Sequence, residues 1–262
     1  ETPGYPMFES IAKSIRIPCV RVARKPAENY QITPRLVRAA KSQGATLLCL
    51  TDPHNPTGAQ TDIETLLLSV QQADRHGIQV IVDRVFADFA ADPTQYTIEG
   101  LERPILARSF SKSLGVGHYR FGWLVAPEAD AEAIEDAIDV TQGQPLSNHF
   151  SGQIASQLAG KYSFEIHTAR DIVHVNRQKL LHSMEPIAKL AIANAQSQVP
   201  FALVSVLTKG RDFVTELTQK HSVAVVPGPL LGFDRQSFRI GLGGSPSQLE
   251  HALDIVERLL RQ

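Results

Sequence analysis

The chain has 262 residues, 43% apolar and 20% charged, with a formal net charge of −1. That is enough for one large domain or two modest ones with a real core, and it excludes a disordered tail or a collagen-like repeat. The near-zero charge leaves no electrostatic footprint for nucleic acid or an anionic membrane, and the longest apolar runs fall far short of the roughly 20 residues that span a bilayer. Two cysteines, Cys19 and Cys49, are too few for a disulfide framework. Both lie in apolar stretches and read as reduced core thiols.

The opening Glu1-Thr-Pro-Gly-Tyr5-Pro-Met-Phe8 reads as a strand end running into a turn. It shows neither an initiating Met nor a signal-peptide pattern, so further chain upstream is expected. Residues 14–23 are apolar and β-branched, as in a strand. Thr33-Pro34 supplies an N-cap and a first-turn proline for a helix carrying Leu36, Val37 and Ala40, closed at Gly44. Residues 45–51 form a short apolar run suited to a strand buried on both faces. Thr61-x-x-Glu64 predicts a capping box, opening a helix with Ile63, Leu66, Leu67, Val70 and Ala73 on one face and a stop at Gly77. Residues 78–82 and 103–108 are two more buried strands, ending beside Asp83 and Ser109-Phe-Ser-Lys112. Strand and helix alternating in this way argue a parallel sheet flanked by helices.

Further on, residues 127–140, 150–159 and 163–184 read as helices. Strands at 201–207, 223–226 and 238–242, with helices over 211–220 and from Ser245, make a smaller α+β unit. The boundary between the units is expected inside the long helix: a large domain at 1–175 and a small one at 176–262. Residues 241–245 open the last helix rather than bind a dinucleotide, since they lack the strand–turn–helix context. His167 and His174 sit seven apart on the long helix, which is no ligand spacing, so no metal site is expected.

The chemistry concentrates in three loops, each just past a buried strand: Asp52-Pro-His-Asn55-Pro-Thr-Gly58, Asp83, and Ser109–Lys112. In an open parallel sheet, that edge is where ligands bind. Pro56 forces Asn55 out of the helical region, and Thr57-Gly58 completes a tight turn that holds its amide at the sheet edge. Asp83 ends an apolar strand, where a buried carboxylate needs a cation: Arg84, Arg108, Arg120 or a protonated heterocyclic nitrogen. Lys112 follows a Ser-rich turn with Ser109, Ser111 and Ser113, and Arg120 comes eight residues later. Hydroxyls, cations and backbone N–H groups together suit a phosphate, and a neighbouring cation favours the neutral, nucleophilic amine.

Asn55-Pro-Thr-Gly, Asp83 closing its strand 28 residues later, Lys112 in Ser-x-Ser-Lys 29 beyond that, Arg120-x-Gly122 and Ser-Phe-Arg239-Ile-Gly make one ordered series. It resembles the class I/II pyridoxal-phosphate-dependent aminotransferases, the aspartate aminotransferase family of fold type I. The resemblance covers essentially the whole chain. It implies that Lys112 forms the internal aldimine with pyridoxal 5'-phosphate and then moves a proton, while Asp83 keeps the ring nitrogen protonated. By the same resemblance Asn55 bonds the phenolic oxygen, Ser109 and Arg120 hold the phosphate, Tyr5 lies against the ring, and Arg239 grips the substrate α-carboxylate beside Asn55. The partners implied are amino-acid and 2-oxo-acid substrates and a second copy in a homodimer, in the cytoplasm, with no nucleic acid and no membrane.

Two positions depart from the family pattern. Phe86 stands where a tyrosine is usual, which implies a shifted pH optimum, and Arg84 replaces a common acidic residue. The resemblance also implies about a hundred residues upstream, including a glycine-containing phosphate loop. The chain as it stands is therefore expected to hold the cofactor weakly. Two alternatives remain open: a lyase or decarboxylase with the same cofactor, or the aminotransferase-like effector domain of a transcription regulator.

Overall fold

The computed structural model describes residues 1–90, 103–119, 121–142, 153, 156–157, 162–184, 186–207 and 212–261. Most of the helix expected over 150–159 lies outside the described residues, as does Arg120.

The first sheet has the order β1-β2-β3-β4, with β1 (Leu47–Thr51), β2 (Gln79–Asp83) and β3 (Ile105–Ser109) parallel and β4 (Gly122–Val125) antiparallel at one edge. Leu48, Leu50, Val80, Val82 and Leu106 supply its core. Two amphipathic helices pack into that core, α2 (Pro34–Ser42) through Leu36, Val37 and Ala40, and α3 (Ile63–Arg75) through Leu66, Val70 and Ala73. Gly44 and Gly77 end these helices with φ of +78° and +66°, a conformation glycine adopts without steric cost. The expected capping box does not form. Thr61 spends its hydroxyl on the Ile32 N–H at 2.9 Å, and Asp62 caps α3 instead, accepting from the Thr65 N–H at 2.8 Å.

The opening segment also departs from expectation. Residues Met7–Ser14 form a helix, α1, and residues 15–25 run on with a single bridge between Thr2 and Ala23. A β-branched run becomes a strand only beside a partner, and none flanks residues 15–21 among the described residues. Ile15, Ile17 and Val20 are consequently exposed, and so is Cys19. Cys49, on β1, is half-buried, and burial pushes its thiol up to about 11.

Helix α4 (Glu128–Gln142) and the long α5 (Tyr162–Met184) lead to a second, wholly antiparallel sheet of order β5-β6-β8-β7. It comprises β5 (Leu190–Ile192), β6 (Phe201–Val206), β7 (Val226–Pro227) and β8 (Ser237–Gly241). Helices α6 (Phe213–His221) and α7 (Pro246–Arg261) complete this half. Its core joins Phe201, Val204, Phe238 and Ile240 to Val173, Leu180 and Met184 of α5 and Leu253 and Val256 of α7. Phe86 and Phe89, from the loop after β2, belong to this second core, so the two halves share apolar packing. The architecture is α/β: a mostly parallel sheet with flanking helices, followed by a smaller α+β part.

Candidate active site

Because β1, β2 and β3 are parallel and adjacent, the loops after Thr51, Asp83 and Ser109 leave the sheet at one edge. A cleft of ≈ 560 Å³ opens there, lined by Tyr5, Asn55, Asp83, Ser109, Lys112 and Arg239 among others. Six of the seven residues singled out in the sequence thus converge, and the seventh, Arg120, lies outside the described residues.

Asn55 is set by a tightly bonded loop. The His54 N–H donates to Ala59 O, the Gly58 N–H donates to His54 O, both at 2.7 Å, and the Asn55-Pro56 bond is cis. Its Oδ1 accepts from Arg239 Nη1 at 2.6 Å. An amide whose oxygen is engaged by a guanidinium presents its NH2 group as the donor left for a ligand.

Asp83 Oδ1 accepts from the Val85 N–H at 3.0 Å, and Oδ2 accepts no hydrogen bond among the described residues. Neither Arg84 nor Arg108 pairs with it, and Arg120, the third arginine expected there, lies outside the described residues. Arg108 pairs with Asp88 at 2.7 Å, while Arg84 is buried where its charge acts on Asp52. Burial pushes the Asp83 carboxyl above its ordinary value, opposed by the Val85 N–H and the charge of Lys112. A carboxylate in this position is stabilised by a cationic donor entering the cleft.

Lys112 is exposed and makes no hydrogen bond or ion pair among the described residues; its Nζ stands 5.9 Å from the Phe86 ring centroid. Ser109 Oγ accepts from the Ser111 N–H at 2.9 Å and keeps its own proton to donate. Ser111 also lines the cleft, whereas Ser113 is buried outside it. Arg239 reaches in from β8 with its guanidinium 5.2 Å from the Phe201 ring centroid, and burial lowers its pKa. Tyr5 is carried by a segment pinned through the Gly4 N–H to Leu231 O at 2.9 Å and through Pro3 O to His54 Nε2 at 3.0 Å.

Sequence reasoning missed Met7, Phe121, Pro200 and Phe201 in the lining. Phe121 had a signal, its place beside Arg120 in the lysine loop. Pro200 and Phe201 had none, since they reach the cleft only by the docking of the second sheet. His167 and His174 are exposed on α5, and no metal-ligating cluster occurs among the described residues.

The fold matches that of solved pyridoxal-phosphate-dependent aminotransferases of fold type I. A PLP-dependent aminotransferase from Streptococcus suis superposes with a TM-score of 0.89 at 23% identity, over 99% of this chain and 69% of that one. The aspartate aminotransferase of Thermus thermophilus superposes at 0.84 and 19% identity, over 98% and 68%. The chain belongs to the aminotransferase class I and II family, whose sequence profile matches residues 1–256. Among curated relatives, histidinol-phosphate aminotransferase of Chlorobium limicola is 25% identical over 94% of this chain. LL-diaminopimelate aminotransferase of Chlamydia pneumoniae is 27% identical over 91%. The chain spans 67% and 61% of the length of these two relatives.

The residues present fit the family's cofactor. Pyridoxal phosphate carries a basic ring nitrogen, a phenolic oxygen, an aldehyde and a phosphate. The cleft offers, in turn, a half-buried carboxylate, an amide NH2, a lysine amine and serine hydroxyls, the lysine and one carboxylate oxygen having no hydrogen-bond partner among the described residues.

Proposed function

We propose that the protein is an aminotransferase that moves an amino group between an amino acid and a 2-oxo acid, with pyridoxal 5'-phosphate held in this cleft. The observation that carries the reading is the convergence of Lys112, Asp83, Asn55 and Arg239 from four separate segments on one cavity. Bound there, the cofactor would supply a sink for the electrons of the substrate's Cα–H bond. Asp83 would keep a proton on the ring nitrogen through its open oxygen, and the Asn55 NH2 would donate to the phenolic oxygen. Ser109 would donate to the phosphate, with Arg120 as a second holder, and Tyr5 would cover the ring face. Arg239 would take the substrate carboxylate, a bidentate task that suits a guanidinium already oriented by Asn55 and Phe201. Lys112 Nζ would attach the cofactor, then accept the Cα proton and return it on the far side of the exchange.

Residues 1–175 would be the cofactor-binding unit and 176–262 the unit that brings Arg239 over the cleft; six of the seven site residues fall in the first span and one in the second. A cytoplasmic homodimer is the working assembly in this reading, supported by the exposed apolar side chains of Ile11, Ile15 and Ile17. Among the described residues, no helix is long and apolar enough to cross a membrane.

Borohydride reduction in the presence of pyridoxal phosphate, followed by peptide mass mapping, tests the assignment. The pyridoxyl adduct is expected on Lys112 and absent from Lys112→Ala. An adduct on another lysine, undiminished in the variant, refutes it.

A further inference from the structure

We propose that this cleft selects amino acids with a large apolar side chain, aromatic or branched aliphatic, over those ending in a second acid. The inference rests on reading the cleft as an aminotransferase site. Lys112 and Arg239 are the only lysine and arginine among the described residues that line it. Both have duties already, one in proton transfer and the other on the α-carboxylate. The rest of the wall, once Asp83, Asn55, the serines and Tyr5 over the cofactor ring are set aside, is Met7, Phe86, Phe121, Pro200 and Phe201, with Val85 and two glycines.

The position of Arg239 connects this wall to the substrate. Its guanidinium packs 5.2 Å from the Phe201 ring centroid, so a carboxylate held by it brings the adjoining carbons beside Phe201. Phe201 meets Phe86 edge-on with centroids 4.9 Å apart, which makes a fixed aromatic floor. Met7, from the opening segment, also lines the cleft and is 47% accessible. An ionised carboxyl leaning on these surfaces would lose its water without gaining a cation, whereas a phenyl or isobutyl group would gain burial. Site-built complementarity of this sort discriminates by about tenfold or more for a well-filled apolar pocket.

Titration calorimetry on the full protein loaded with pyridoxal phosphate separates the possibilities without turnover. The probes are 3-phenylpropionate and succinate, carboxylic acids that have no amino group to exchange. The expected result is a dissociation constant at least about tenfold lower for 3-phenylpropionate, with binding of both lost in Arg239→Leu. Succinate binding as tightly or more tightly overturns the side-chain preference and leaves the aminotransferase reading standing. If 3-phenylpropionate binds equally well to Arg239→Leu, the ligand lies outside this cleft and the inference fails. If neither acid binds the parent protein, the carboxylate role of Arg239 and the side-chain preference fall together, while the Lys112 adduct decides the aminotransferase reading separately.

Discussion

The imidazole of His54 holds the opening segment to the Asn55 loop. It is buried between two partners, Pro3 O at 3.0 Å from Nε2 and Thr57 Oγ1 at 2.7 Å from Nδ1. A carbonyl only accepts, so Nε2 carries the proton and donates, and Nδ1 accepts from the threonine hydroxyl. Burial, reinforced by the Arg24 charge, holds the His54 pKa well below its usual 6.5. The unfolded chain therefore binds a proton below pH 6.5 that the folded chain refuses. Stability is expected to fall with decreasing pH by about 1.4 kcal/mol per pH unit, from 6.5 down to the folded pKa. Asp52 acts in the opposite sense: burial raises its carboxyl, so its protonation favours the folded state at the acid end. Urea unfolding at pH 7.5 and 5.5 checks the effect, and His54→Gln should flatten the difference. An undiminished pH dependence in the variant would assign it to another group.

Two neighbours on one turn of α5 organise the second half of the chain around the cleft. Asn176 Nδ2 donates to Leu242 O at 2.8 Å and Gly244 O at 2.9 Å, fastening the end of β8 and the start of α7. Arg177 Nη2 donates to Val199 O at 2.9 Å and Phe201 O at 2.7 Å, which fixes the first residue of β6 at the cleft wall. Burial lowers the Arg177 pKa to about 10, and its contacts among the described residues are carbonyls rather than a carboxylate. Arg177→Met keeps the apolar stem and strands those carbonyls. A loss of roughly 3 kcal/mol is expected, since each buried bond to a charged donor contributes about 1.5–3 kcal/mol. Urea unfolding with an unchanged denaturant slope measures it. A loss under about 0.5 kcal/mol would show that water replaces the guanidinium without cost.

Besides the apolar packing around Phe86 and Phe89, the halves of the molecule are bonded together at the Asn55 loop. Asn194 Nδ2 donates to Thr57 O at 3.1 Å, and Ser197 Oγ donates to Gly58 O at 2.8 Å. With Arg239 on Asn55, three contacts from the second half grip three residues, Asn55, Thr57 and Gly58, of one short turn. Gly58 has φ of +72°, and a Cβ there would lie 2.5 Å from Ser197 Oγ. Gly58→Ala is therefore expected to cost about 2–4 kcal/mol, from left-handed backbone strain plus displacement of Ser197. Gly58→Ala should cost less in a Ser197→Gly background than in the parent, leaving the strain and the contact of the new Cβ with Val199 Cγ2 at 3.0 Å. Thermal unfolding of the single and double variants reads the difference, and identical losses in the two would remove Ser197 from the account.

The parallel sheet, its covering helices and most of the site were legible because each rests on short-range pattern. Buried strands announce themselves as apolar runs, and the polar residue ending each run sits at the same sheet edge whatever the rest of the chain does. Asn55, Asp83 and Lys112 could be grouped on that ground alone. Other features depend on what stands next to a segment in space. Residues 14–23 have strand composition, but Ser14 ends α1, residues 15–16 turn, and the rest finds no adjacent strand among the described residues beyond the Thr2–Ala23 bridge. Thr61 has the spacing of a cap, but the buried Ile32 N–H claims its hydroxyl. Arg84 follows Asp83 in sequence and Arg108 stands on the adjacent strand, yet Arg84 is buried where its charge reaches Asp52, and Arg108 pairs with Asp88. The apolar wall of Phe121, Pro200 and Phe201 likewise arises from docking one sheet against the loops of another. Local periodicity carries the elements and their ends; hydrogen-bond partners and cleft walls are set by long-range contacts, in which a buried polar group takes whichever partner the packing brings within reach.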